Sequence, residues 1–391
     1  MKRKLAAILV VSSLLVLGTL AVRQLTIEPR IGLQPLLAHA AVSISGNGEL
    51  DSSHGVTRGT GTASDPYVIE GWDIGGDTRD FDCAGLKLRN TTVHVVVRNL
   101  AIHVGPRCDG IQLLDVRNVR IENALLSANG GGIVVAASSD IFVLNSVVRQ
   151  NQEGIVMSES AVLLVQNNTV SDGGQGIVAK ESSQFLVVRN VVTNNTANGL
   201  ILLGSVNSTI DANEVRGSAF RGIALFSSSN IVVRGNTISG AGEECLYNLK
   251  GAGNILVGNI VEQCSWGGVA GFRSFGMMIV DNIVRQSPRH GIGLFESSKN
   301  LVFANKVTDT QGGIVVAANS DFNLVANNTV INGMEAGIVL TGSPDGSPDY
   351  NVIQNNTVLG YGAFDLLDAS NGRGNIWRFN LYETKNEPSL D

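Results

Sequence analysis

Between Phe220 and Glu296 the chain repeats acids, bases and aromatic rings at a fixed interval. Phe220, Glu243, Trp266 and Arg289 follow one another at 23-residue steps, as do Arg221, Glu244, Gly267 and His290. Phe226, Leu249, Phe272 and Phe295 keep the same step. Residues that recur at one interval share a column when the chain coils once per interval. Carboxylates beside bases can exchange protons, so Glu243 and Glu244 are candidate general acid and base, tuned by Arg289 or His290. A sugar ring asks for a flat apolar surface and charged groups for its hydroxyls. Phe220, Arg221, Tyr247, Trp266, Phe272, Arg289 and Phe295 supply both and are the candidate ligand-binding residues. The plainer alternative is that the rings fill a narrow core and the charges form a solvated corner.

The remaining reactive residues say less. Cys83 and Cys108 each precede a Gly-aliphatic pair by two residues, so they share a column in adjacent coils. The rise between coils matches the Cα separation of a disulfide; a bridge and a pair of buried thiols are both compatible. Cys245 and Cys264 fall out of register with each other and read as separate core residues. The five histidines are scattered, and His94 and His103, on two sides of one turn, make two ligands without a third, so no metal or other cofactor is expected. Asp345 and Asp349 occupy an inserted loop, where turn chemistry explains them better than calcium. The Asn-x-Ser/Thr triplets at Asn90, Asn167, Asn194, Asn207, Asn327 and Asn355 are explained by turns without glycosylation.

The element that must position these residues is a repeat. Gly followed by an aliphatic residue recurs from Gly85 to Gly337, with Cys245 and Asp365 in the same slot, at spacings of 22 to 28 residues. An Asn column runs in phase: Asn99, Asn123, Asn145, Asn168, then on to Asn356 and Asn380. Within one repeat, residues 154–157, 161–165 and 169–171 read as three short strands separated by polar turns. Three strands per interval make one coil. Stacking coils at about 4.8 Å gives a right-handed, single-stranded parallel β-helix, an all-β solenoid of about 13 coils. Asn at a bend can donate to its equivalent one coil on, forming an inward ladder. Leucine-rich repeats have similar length but need a helical segment and a Leu spacing that this chain lacks.

The bulk figures agree. There are 46 Gly and 8 Pro, with 16% charged and 5% aromatic residues. Residues 1–40 hold five basic residues and one acid; removing them from the totals of 28 and 34 leaves 23 against 33, a balance of −10. That argues against nucleic acid or an anionic lipid surface. Lys2-Arg3-Lys4, the apolar run Leu5 to Val22 and Ala38-His39-Ala40 make residues 1–40 an export signal or a retained anchor. Residues 41–84 are expected as the N-terminal cap, 85–380 as the β-helix and 381–391 as a tail. Trp377, Phe379 and Tyr382 are expected to plug the C-terminal end.

The segment Gly61 to Gly71, the Asn-x-Thr/Ile/Val and Gly-Ile repeats, and Gly374-Asn375-Ile376-Trp377 together resemble the NosD-type β-helix family, whose module is also called the CASH domain. The resemblance covers roughly residues 43–380. It implies an extracytoplasmic protein and, in some members, a link to copper-centre assembly for nitrous oxide reductase. No catalytic motif carries over residue by residue. The expectation is an exported β-helix that binds polysaccharide or a surface glycan, with weak hydrolase or lyase activity left open. The alternative is a structural or assembly factor working with membrane transporter components or copper-enzyme maturation.

Overall fold

The computed structural model describes residues 35–76, 83–344, 346–387 and 390. The basic and apolar parts of the export segment, and Asp345, lie outside the described residues. Each coil gives one strand to a 14-stranded parallel sheet, and the other strands join a 26-stranded sheet. The chain is a parallel β-solenoid of about 13 turns. The stretch expected as a cap takes part in it. Val42–Ser45 opens the 14-stranded sheet by pairing with Ala84–Arg89, and Trp72–Gly75 joins the other sheet. Leu37–Ala38 pairs with Trp72 and Asp73, and the His39 ring lies 4.4 Å from that of Trp72. Of the expected cleavage motif, Ala38 lies in that strand and His39 and Ala40 follow it.

Alternation fixes what each strand buries. In the 14-stranded sheet the residue after the Gly slot, as in Ile223, Leu246, Val269 and Ile292, is fully buried in the core. The slot itself also faces inward. A Cβ on Gly199 would lie 2.8 Å from Ser218 Oγ, and one on Gly268 would lie 3.3 Å from Ser287 Oγ. In both cases the neighbour is 19 residues on. That geometry corrects the reading of Cys245 and Cys264. Cys245 occupies a slot and Cys264 lies 19 residues later, and the two form a disulfide with Cα atoms 5.5 Å apart. Cys83 and Cys108 are also bridged, with Cα atoms 4.8 Å apart.

The Asn ladder runs from Asn168 to Asn380. In each step the backbone N–H and Nδ2 of one Asn donate to Oδ1 of the next, as from Asn259 to Asn282 at 2.9 Å for both bonds. The first three members of the expected column stand one residue out of register. Asn99, Asn123 and Asn145 adopt positive φ at the corner, and Leu100, Ala124 and Ser146 hold the buried position behind them. Asn tolerates the left-handed corner as well as the ladder, so its appearance does not distinguish the two sites. The triplet residues Asn167 and Asn327 sit at the same left-handed corner, with φ of 55° and 58°, and Asn194 at the following one, with φ of 54°. At the C-terminal end Trp377 is buried, but Phe379 is 77% exposed and does not plug the core. It follows the strand Ile376–Arg378 at positive φ, which turns its side chain to solvent.

Candidate functional site

The stacked coils bring the first column together directly. Glu243 N donates to Phe220 O at 3.0 Å, Trp266 N to Glu243 O at 3.3 Å, and Arg289 N to Trp266 O at 3.1 Å. One residue on, Cys245 N reaches Gly267 O at 3.1 Å, and Gly267 pairs with His290. The column of Phe226, Leu249, Phe272 and Phe295 lies on the outer face of the 14-stranded sheet, half-buried. Beside it, Tyr247 is nearly covered.

Charge in this region centres on Arg221. Its Nη2 lies 2.7 Å from Glu243 Oε2 and its Nε 3.0 Å from Glu244 Oε2. The guanidinium carbon sits 4.0 Å from the centre of the Tyr247 ring. Burial pushes the Tyr247 hydroxyl pKa up, and Arg221 opposes this. Arg289 takes no part in the cluster and lies 3.8 Å over the Trp266 ring. His290 stands two coils from Glu244, about 9.6 Å along the rod. Tuning of the glutamates by Arg289 or His290 is therefore replaced by a double ion pair with Arg221. Both carboxylates end on one guanidinium instead of flanking a cleft, which is the layout glycoside hydrolysis uses.

The rings differ in what they offer. Phe272 and Phe295 stack on each other at 4.5 Å and 16°, so those facing surfaces are occupied. Tyr247 tilts between Phe226 and Phe272, with centroids 5.6 and 5.5 Å away. Phe220 and Trp266 are 48% and 44% exposed and share one column two coils apart. His290 is buried, its ring against Gly267 and 5.3 Å from Phe295, and its Nε2 has no hydrogen-bond partner. Burial, reinforced by Arg289, lowers its pKa to about 4. His94 and His103 lie on either side of the Asn99 corner, and His103 Nδ1 is 3.4 Å from Asp73. The seat that Tyr247 provides for Arg221 went unread, because an outward ring and a core ring look alike in sequence.

Two family models match the chain. One, described as a right-handed β-helix region, matches residues 153–293 and 222–377. The other, described as periplasmic copper-binding protein (NosD), matches residues 70–220. None of the curated proteins matches in sequence. Among solved structures, the Dettilon tailspike protein aligns at 16% identity over 74% of this chain and 62% of its own, with a TM-score of 0.51. The A-module of the mannuronan C-5 epimerase AlgE4 from Azotobacter vinelandii aligns at 10% identity over 82% and 90%, with a TM-score of 0.50. DFA-IIIase from Arthrobacter chlorophenolicus, without its lid, aligns at 11% identity over 66% and 83%, also at 0.50. At these identities the likeness shows the fold alone. The chain belongs to the right-handed β-helix family, with coils of NosD type in its N-terminal half.

Proposed function

We propose that this exported β-helix binds a glycan on the outer corner formed by Phe220, Glu243, Trp266 and Arg289. The observation that carries the reading is the pair of exposed rings, Phe220 and Trp266, in one column with Arg221 and two carboxylates between them. Two coil steps separate the rings by about 9.6 Å, the span of about two pyranose units. Glu243 and Arg221 supply acceptors and donors for ring hydroxyls, while the buried Glu244 and the Tyr247 ring hold Arg221 in place. The arrangement supports binding more than turnover. A shared fold with a mannuronan epimerase agrees with a polysaccharide ligand. The test is a glycan-array screen of wild type, Phe220→Ala, Trp266→Ala and Glu244→Gln. Losing one stacking ring removes about 1 kcal/mol, so Trp266→Ala should weaken binding roughly fivefold to tenfold. No glycan held by wild type, or binding unchanged by all three substitutions, would sink the reading. The second reading, a NosD-type assembly partner, rests on the family match over residues 70–220. It gains ground if no glycan binds and the chain co-purifies with transporter subunits.

A further inference from the structure

The outer face of the 26-stranded sheet is apolar in a way that neither the core nor the glycan corner requires. One outward column begins at Phe142 and ends at Ile376, and each member pairs directly with the next through ten successive strand pairings. Thr209 is the one polar side chain between those ends. The buried neighbours on each strand, such as Ile279 and Val302, point the other way. Phe142 and Ile376 are 40% and 46% exposed, and the rest are half-buried. A second outward column adds Val257, Val280 and Phe303 beside Ile255, Met278 and Leu301. Of the charges in the second column, Arg234 Nη2 lies 2.8 Å from Asp211 Oδ2, and Arg378, at the C-terminal end, donates its Nε to Gln354 Oε1.

We propose that this face docks a second copy of the chain. Ten steps at the strand spacing make the column about 48 Å long. Two outward columns with their side-chain margins are about 14 Å wide. The face therefore offers about 700 Å² per copy, or about 1,400 Å² in a pair, within the range of stable protein interfaces. Spacing identifies the partner. The apolar rows repeat at the coil rise along the whole face. A second copy carries rows at the same rise, so ridges can enter grooves from end to end, and one self-complementary patch closes a two-fold dimer. A partner without that repeat matches only locally. A face whose first column is apolar but for Thr209 also suits a copy of itself better than a charged partner.

The inference is independent of the glycan reading and uses residues remote from Trp266 in the coil. Light scattering after size exclusion should give a dimer for wild type at tens of micromolar. Met278→Glu with Leu301→Glu places two charges on the outer face without touching the core and should give a monomer with an unchanged circular dichroism spectrum. Met334→Glu, at an exposed side chain between the strands Thr329–Gly333 and Ala336–Thr341 and so off this face, should remain dimeric. Ile255→Lys serves as the second probe if the double variant fails to fold. A monomeric wild type overturns the proposal, as does a dimer that persists in Ile255→Lys. A wild-type monomer that instead floats with phosphatidylcholine vesicles would assign the face to a membrane surface, which also overturns it.

Discussion

His290 is the residue whose chemistry is most changed by its surroundings. Its ring is buried on Gly267 and against Phe295, with Nε2 unpartnered, and its pKa falls from 6.5 to about 4. The unfolded chain thus binds a proton that the folded chain refuses. Stability is complete above pH 6.5 and declines as pH falls from 6.5 toward 4. The shift corresponds to about 3 kcal/mol at the low end of that window. His290→Asn cannot ionise, so urea midpoints of this variant should vary less with pH across the window than those of wild type. Parallel curves would show that His290 does not titrate against folding. Sequence placed His290 in the column of Glu244, two coil steps on, but column membership does not reveal depth. Arg221 was legible as a neighbour of both carboxylates only through the repeat, and its double pairing follows from side-chain reach that spacing does not encode. Cys245 and Cys264 were missed for a related reason. Comparing equivalent columns one coil apart finds residues that stack, whereas slot side chains point across the core to the residue 19 positions on.

The ladder and the corner beside it are separate elements that use the same residue type, and substitutions tell them apart. Asn259 accepts from Asn236 N and Nδ2 at 3.0 Å each, and its Nδ2 donates to Val233 O at 2.9 Å. Asn259→Ala strands these buried groups, and each unmade bond costs about 1 kcal/mol or more, so a loss of about 3 kcal/mol is expected. Asn145 holds a corner at φ 50° and accepts one bond, from Asn167 Nδ2 at 3.3 Å. Asn145→Gly keeps that conformation available and should change stability by less than about 0.5 kcal/mol. Equal losses in chemical denaturation would mean the two positions are not distinct. Most of the coil was readable because Gly slots, inward aliphatics and Asn recur in phase, and each recurrence averages out local exceptions. The ladder at Asn254, Asn300, Asn323 and Asn351 was not read, because Met277 interrupts it and Gly251 replaces a Ser at the preceding corner. The Ser ladder through Ser182, Ser205 and Ser228 was hidden by the abundance of Ser in ordinary turns.

Each coil of the 14-stranded sheet touches only the coils before and after it, so the molecule is held together as a chain of neighbours. Such a rod has no central core to average damage over, and a fault in one coil should remain near that coil. Gly268 offers the test, because it lies well inside the rod and its slot is closed. A Cβ there would collide with Val284 Cγ1 and lie 2.6 Å from Gly291 O. Gly268→Val must push the strands Gly267–Phe272 and His290–Phe295 apart and displace Val284 on Ile283–Arg285, since the Gly291 carbonyl and the stiff Val284 side chain bound the space. The Cys245–Cys264 bridge sits one coil below and ties that region together, which limits how far the opening spreads toward the N-terminus. Hydrogen exchange of Gly268→Val should therefore show protection lost between about residues 245 and 315 and kept over the coils up to Asn213. The corner proposed to bind glycan spans Phe220 to Arg289 and lies across the boundary, so Trp266 contacts should fail while the N-terminal coils remain folded. Uniform loss of protection along the whole rod would show that the coils unfold as one cooperative unit, and that locality of contact does not give locality of stability here.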